Sequence, residues 1–148
     1  MGSVSKLANV PYTAEQMYNL VNDIESYPEF LPRCTGANVI NRKDESLTAT
    51  VSLSTGKIKQ TFTTENIMQV GERIDVKLIS GPFKYLTGYW TFQNTGKNYC
   101  HIELKMDFEF KNKILKLTLN AVFNLFINSL IESFAERASK TYGDSKSD

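Results

Sequence analysis

The sequence has few of the residues that build metal centres or disulfide frameworks. Its 148 residues include two cysteines and one histidine, which is too few for most zinc sites. Cys34 and Cys100 each stand alone, without a C-x-x-C partner, so we expect two buried thiols rather than a disulfide or a redox pair. The composition therefore predicts that the protein holds no metal.

An excess of charge of one sign is also lacking. Lysine and arginine total 17 and aspartate and glutamate total 16, which leaves a formal net charge of +1. This balance argues against a protein that coats nucleic acid, and we expect no DNA partner, although a local basic patch stays open. The motifs G-x-S-x-G, H-E-x-x-H and G-x-G-x-x-G and the phosphate-binding P-loop are absent from the sequence.

The first residues show no targeting pattern. Residues 1–10 contain neither the apolar run of a secretory signal nor the arginine-rich amphipathic pattern of an organelle transit peptide. We therefore expect a cytoplasmic protein, either free in the cytoplasm or peripheral at the inner membrane. No internal repeat, linker or low-complexity tract interrupts the chain.

Hydrophobic and aromatic side chains, in contrast, are plentiful. They make up 41% and 11% of the residues, and the mean hydropathy is −0.30, which is typical of a globular domain. A chain near this length buries roughly 68–70% of its unfolded surface, so it needs no cross-link to hold a core. We predict one domain over residues 1–143, followed by a polar tail at residues 144–148.

The hydrophobic period changes twice along the chain. Residues 4–10 are typical of a strand, and Thr13 with Gln16 forms a capping box before a short amphipathic helix. From residue 36 to residue 110 apolar and polar residues alternate, most clearly over residues 100–110, and turn signals divide this stretch into about six strands.

A long helix follows the strands. Asn112 can cap a helix over residues 113–142, and Gly143 can stop it. The order of elements predicts an α+β helix-grip fold, in which a curved antiparallel sheet of about seven strands wraps around the long C-terminal helix. A curved sheet cannot pack tightly along a whole helix, so we expect a ligand cavity between them.

Few residues are candidates for catalysis. The alternation places His101 on the polar face of its strand, which is more typical of a solvent-exposed histidine than of a catalytic base. An acid–base pair at the cavity mouth stays open, because Asp23, Glu25 and Glu29 lie near its expected position. The favoured prediction is a protein without enzymatic activity.

Three features bear on binding, and each has more than one interpretation. Apolar residues cover more than half the circumference of the helix over residues 117–131, as in a core helix, a cavity wall or a membrane-contacting surface. Phe30 and Leu31, between two prolines, either plug one end of the core, form the lip of the cavity or form a tip that dips into a membrane. The lysines at positions 111, 113 and 116 form either a solvated face or a site for an anionic membrane or ribosomal RNA.

Four segments carry a resemblance to a known family. Residues 21–34, 81–92, 100–110 and 134–143 are similar, in order, to the opening motif, the central hairpin, the last strand and the helix end of the coenzyme-Q-binding START-like family. This family belongs to the polyketide cyclase/dehydrase and lipid transfer superfamily. Arg33 departs from the pattern, because the family often has tryptophan there.

The resemblance implies two functions that the residues do not separate. Mitochondrial members bind ubiquinone in a hydrophobic tunnel and support respiratory electron transfer without an enzymatic step. A bacterial branch, which this sequence resembles in showing no transit peptide, is named for ribosome association. Its member is a toxin of a toxin–antitoxin pair that binds the large ribosomal subunit and blocks subunit joining. We favour a tunnel for ubiquinone or a related prenylated quinone, with peripheral membrane contact, and keep the ribosomal function as the alternative.

The expected ligand-binding residues come from the proline-bounded loop, the central hairpin, the last strand and the long helix. They are Tyr27, Pro28, Phe30, Leu31, Pro32, Phe83, Trp90, Leu104, Met106, Phe108, Val122, Phe126 and Leu130. We expect the quinone head group at the cavity mouth, beside residues 27–32.

Overall fold

The computed structural model describes residues 2–143, which form seven strands, two α-helices and one 3-10 helix. The predicted tail at residues 144–148 lies outside the described residues. In chain order the elements are β1 (Gly2–Val10), α1 (Ala14–Asn22), the 3-10 helix (Ile24–Glu29), β2 (Cys34–Arg42), β3 (Ser46–Thr55), β4 (Ile58–Gln69), β5 (Arg73–Ser80), β6 (Phe83–Gly96), β7 (Tyr99–Phe110) and α2 (Lys113–Tyr142).

All seven strands belong to one antiparallel sheet. Its order is β1-β7-β6-β5-β4-β3-β2, so the six strands after α1 form a meander and β1 closes the sheet beside β7. In β7 every second side chain from Cys100 to Phe110 is buried, which confirms the predicted alternation. Register shifts in the β2–β3, β4–β5 and β6–β7 pairings are typical of the bulges that bend a sheet.

The predicted capping box begins α1. The backbone N–H of Gln16 donates to Thr13 Oγ1 at 3.1 Å, and the N–H of Thr13 donates to Gln16 Oε1 at 2.9 Å. After α1 the proline-bounded segment forms the 3-10 helix, which contains Pro28.

The long helix α2 has the predicted bounds. Asn112 Oδ1 accepts from the N–H of Leu115 at 2.9 Å at its start, and the N–H of Gly143 donates to the Ser139 carbonyl at its end. One face of α2 packs on the concave side of the sheet, through Leu119, Phe123, Phe126, Ile127, Leu130, Phe134 and Ala138. This arrangement confirms the α+β helix-grip fold.

Candidate functional site

A cavity of about 70 Å³ lies between the concave face of the sheet and the middle of α2. Its lining is mostly aliphatic and aromatic and comes from nearly every element of the fold. The lining residues are Val21, Ile24, Tyr27, Ala49, Val51, Phe62, Thr64, Asn66, Ile74, Val76, Leu86, Trp90, Met106, Phe123, Phe126, Ile127, Leu130 and Phe134. The cavity has the position that the sequence predicts for a ligand site.

Two polar side chains face this apolar space from β4. Thr64 and Asn66 are the buried polar residues among those described, and they point inward because they share the parity of Phe62 and Met68. Thr64 Oγ1 donates to Asn66 Oδ1 at 2.9 Å. The Asn66 carboxamide also carries two N–H donors, so the pair can orient a polar group of a bound molecule.

A second, smaller pocket of about 20 Å³ lies toward the start of α2. Phe62 and Phe123 line both spaces and therefore separate them. The other residues of the smaller pocket are Leu53, Thr55, Ile58, Gln60, Pro82, Phe83, Phe110, Leu119 and Val122. The described residues thus enclose two adjacent apolar spaces rather than one continuous tunnel.

The 3-10 helix covers the main cavity and is fastened to α2. The hydroxyl of Tyr27 donates to the Val21 carbonyl, and the rings of Tyr27 and Phe30 pack on Phe134 with centroids 5.5 and 5.2 Å away. Arg137 pairs with Glu29 at 2.8 Å and lies 4.9 Å from the centre of the Phe30 ring. The segment is therefore held on α2 by one ion pair and by ring contacts.

The structure distributes the predicted ligand-binding residues over several environments. Five of them line the main cavity: Tyr27, Trp90, Met106, Phe126 and Leu130. Phe83 and Val122 line the smaller pocket, and Phe108 lines a groove at the start of α2.

The other predicted residues line none of these three spaces. Leu104 is completely buried on β7 and Leu31 is buried after the 3-10 helix, where its N–H donates to the Tyr27 carbonyl. Phe30 is half-buried on Phe134, whereas Pro28 and Pro32 are exposed. The loop thus contributes to the cavity wall through Tyr27.

Sequence reasoning missed the contribution of β4. Phe62, Thr64 and Asn66 all line the main cavity, but two of the three are polar and hide the alternation that marks the other strands. A sequence signal was present, because Phe62 and Met68 lie an even number of positions apart between two turns. Both therefore point to the same face of a strand.

The cavity holds no carboxylate, imidazole or amine among its lining residues. Tyr27 is its titratable group, and burial raises the pKa of that hydroxyl far above its usual range. Asp23 accepts from Ser26, Glu29 pairs with Arg137, and Glu25 Oε2 accepts from the N–H of Val39. The predicted acid–base candidates therefore lie outside the cavity, and residues 2–143 contain no cluster of metal ligands.

A wide groove of about 660 Å³ opens at the start of α2. Four lysines line it, together with polar residues of α2, the first residues of β1 and the end of β7. The lysines are Lys84, Lys111, Lys113 and Lys116. By length and composition α2 is also apolar enough to cross a membrane, and 28% of its most apolar stretch is buried inside the protein.

The fold has relatives of known structure. The chain is similar to a START superfamily protein from Mycobacterium smegmatis, with 18% identity, 93% of this chain and 97% of that chain covered and a TM-score of 0.78. It is also similar to the Zhui aromatase/cyclase from a Streptomyces species, with 12% identity, 94% of both chains covered and a TM-score of 0.82. At these identities the likeness defines the fold, a START-like helix grip.

Residues 10–135 match the family described as polyketide cyclase/dehydrase and lipid transport, and the chain belongs to this family. Its relatives include the ribosome association toxin RatA of Escherichia coli K12, 42% identical over 96% of this chain and 90% of the relative. A second relative is the mitochondrial coenzyme Q-binding protein COQ10 of Dictyostelium discoideum, 26% identical over 92% of this chain and 68% of the relative.

Proposed function

We propose that the protein binds an isoprenoid quinone, or a similar prenylated lipid, between the sheet and α2, without an enzymatic step of its own. The observation that carries this proposal is the apolar cavity with the Thr64–Asn66 pair on one wall. Apolar walls favour a hydrocarbon chain by about 0.8 kcal/mol for each buried methylene. The name of the COQ10 relative supports the same ligand class.

The ligand has to enlarge the cavity when it enters. The main cavity of about 70 Å³ is smaller than the roughly 300–1,000 Å³ of most ligand pockets. Rotation of Phe62 or Phe123 would join it to the smaller pocket, because both rings stand between the two spaces. A prenyl chain would then extend along α2 toward its N-terminal end.

The head group of such a ligand fits best beside β4. A quinone has carbonyl oxygens that accept hydrogen bonds, and the Asn66 carboxamide supplies N–H donors at the cavity wall. The hydroxyl of Tyr27 is instead engaged with the Val21 carbonyl. We therefore place the quinone ring near Thr64 and Asn66, deeper than the mouth at residues 27–32.

The single tryptophan of the chain offers a direct test. Trp90 lines the cavity, so a quinone bound there is expected to quench its fluorescence. We would titrate the protein with a short-chain ubiquinone and then displace it with a prenyl alcohol that lacks the quinone ring. Saturable quenching that the prenyl alcohol reverses is expected, whereas quenching that is linear and irreversible would contradict the proposal.

Two small-to-large variants locate the binding. Ala49→Leu places a larger side chain in the cavity wall, and we expect it to lower the affinity for the quinone, measured by quenching of Trp90, at least tenfold. Ala37→Leu is the matched control, since Ala37 is buried in the neighbouring strand but does not line the cavity. Equal binding by wild type and Ala49→Leu would place the ligand elsewhere.

Ribosome association is the second candidate function, and the name of the RatA relative favours it. The lysines of the groove at the start of α2 supply a local basic patch for an RNA-rich surface. Cosedimentation with purified large ribosomal subunits, lost at high salt, is the expected result. If the protein also blocks subunit joining, adding it to dissociated subunits lowers the yield of assembled ribosomes.

A further inference from the structure

The first half of α2 exposes large apolar side chains to solvent. Ile114 is 73% exposed, Leu117 is 85% exposed and Leu125 is 51% exposed. At 100° per residue these three positions lie on one side of the helix, opposite the residues that pack on the sheet. Such a stripe is unfavourable in water, which points to a partner surface that covers it.

Several lysines lie near the N-terminal end of this stripe. Lys113 and Lys116 lie on α2 itself, and Lys111 directly precedes it. Lys57 in the turn between β3 and β4 and Lys59 at the start of β4 lie at the same end of the molecule, since Ile58 between them lines the smaller pocket together with Leu119 of α2. We call the exposed stripe and these lysines the basic apolar end.

Acidic side chains are sparse here. Residues 46–64 and 110–131, which supply the basic apolar end, contain no aspartate or glutamate. The carboxylate that lines the groove is Glu109, which lies 3.8 Å from Lys84. Exposed apolar side chains beside lysines, with few acids, complement the acyl chains and the phosphates of an anionic bilayer.

We propose that the basic apolar end docks on the surface of an anionic membrane, with Ile114, Leu117 and Leu125 inserted below the phosphates. The smaller pocket opens beside this end, between α2 and the β3–β4 turn, so docking would bring an apolar opening of the protein against the lipid. This inference goes beyond ligand binding and is tested without any quinone.

A membrane fits these observations better than an RNA surface. Proteins that grip nucleic acid bases present aromatic rings among their basic residues. The large hydrophobic side chains that the first half of α2 exposes are aliphatic, and the phenylalanines at positions 110 and 123 are buried. Insertion into lipid covers the aliphatic stripe, whereas phosphate contacts alone would leave it in water.

The test is flotation of the ligand-free protein with vesicles. We expect it to float with phosphatidylcholine vesicles that contain phosphatidylglycerol and to stay in solution with phosphatidylcholine alone. Replacing Lys113 and Lys116 together by alanine should weaken vesicle binding by about 25-fold, because each lysine contributes a factor of roughly five. The paired control is Lys97→Ala with Lys43→Ala, both in turns outside the basic apolar end.

Leu117→Asp tests insertion. We expect it to lose flotation almost completely, while Val70→Asp keeps it, since Val70 is 74% exposed in the turn between β4 and β5. Both variants alter exposed side chains, and circular dichroism verifies that each is folded. Flotation of Leu117→Asp equal to wild type, or equal losses in both variants, would overturn the proposal. Failure of the wild type to float would do so as well, and salt-sensitive binding to ribosomal RNA would then identify RNA as the partner of the lysines.

Discussion

Phe62 of β4 and Phe123 of α2 meet edge to face across the interior, with ring centroids 6.0 Å apart, and together they separate the two apolar spaces. The contact joins the sheet to the helix. It also sets how much space a ligand finds, because each ring has one side toward the main cavity and another toward the smaller pocket.

Removing this partition is expected to lower stability and to enlarge the binding space. Phe62→Ala should reduce the free energy of unfolding by about 3–5 kcal/mol, because it deletes a buried ring and leaves a cavity. A saturating prenylated quinone should restore part of the loss by filling the joined space. Urea unfolding with and without the quinone measures both effects.

Phe110→Ala is the control for the partition. Phe110 is also buried, and it lines the smaller pocket but not the main cavity. Its removal should cost a similar free energy of unfolding, but the quinone should restore less of it. If the quinone restored equal stability to both variants, Phe62 would have no role as a partition.

The ion pair of Arg137 with Glu29 predicts how firmly the cavity cover is held. Arg137→Gln removes this pair and the contact with the Phe30 ring, with an expected cost of about 1 kcal/mol, because both partners are partly exposed. Hydrogen exchange should accelerate in residues 24–34 and stay unchanged in β6 and β7. Lys140→Ala on the same helix is the control. If this variant accelerated hydrogen exchange in residues 24–34 as much as Arg137→Gln, the prediction would be contradicted.

The sequence was sufficient for the elements whose signals are local. The capping box at Thr13, the alternation in β7 and the bounds of α2 follow from hydrogen-bonding residues and hydrophobic periods that lie close together in the chain. The helix-grip fold followed from their order. Neither step required knowledge of contacts between distant residues.

The site was predictable only in part, because it depends on distant contacts. The partition by Phe62 and Phe123 joins residues on two elements far apart in sequence, and so does the pair of Arg137 with Glu29. Leu104 shows the converse, since an inward parity predicts burial but cannot say whether a buried side chain meets a cavity or other side chains. Packing decides that question.

The two thiols predict a pH dependence. Burial raises the pKa of Cys100 from 9.0 to about 11, and it also raises that of Cys34. The folded protein therefore keeps the Cys100 proton where the unfolded chain loses it. Its contribution to stability is complete below pH 9 and declines between pH 9 and about pH 11.

Cys100→Ala isolates this contribution from the tyrosines that also titrate at high pH. The free energy of unfolding of wild type should fall more steeply between pH 9 and about pH 11 than that of the variant. In the folded wild type, iodoacetamide at pH 8 should label neither thiol, and urea should expose both. Parallel curves for the two proteins would show that Cys100 ionises equally in both states.

Gly88 of β6 is where the sheet tolerates no side chain. A Cβ at this position would lie 2.2 Å from the Lys105 carbonyl oxygen and 2.6 Å from the sulfur of Met106, which lines the main cavity. The carbonyl belongs to the backbone of the neighbouring strand and cannot rotate away. Gly88→Ala must therefore spread β6 from β7 and displace Met106.

We expect Gly88→Ala to lower the free energy of unfolding by about 3 kcal/mol or more, since overpacking against backbone is at the upper end of such costs. Gly96→Ala is the matched control, because a Cβ there meets nothing within 4 Å, and its cost should stay within about 0.5 kcal/mol. Urea unfolding measures both. Similar stabilities would mean that the strands separate at little cost, and the displaced Met106 would then appear only as weaker quenching of Trp90 by the quinone.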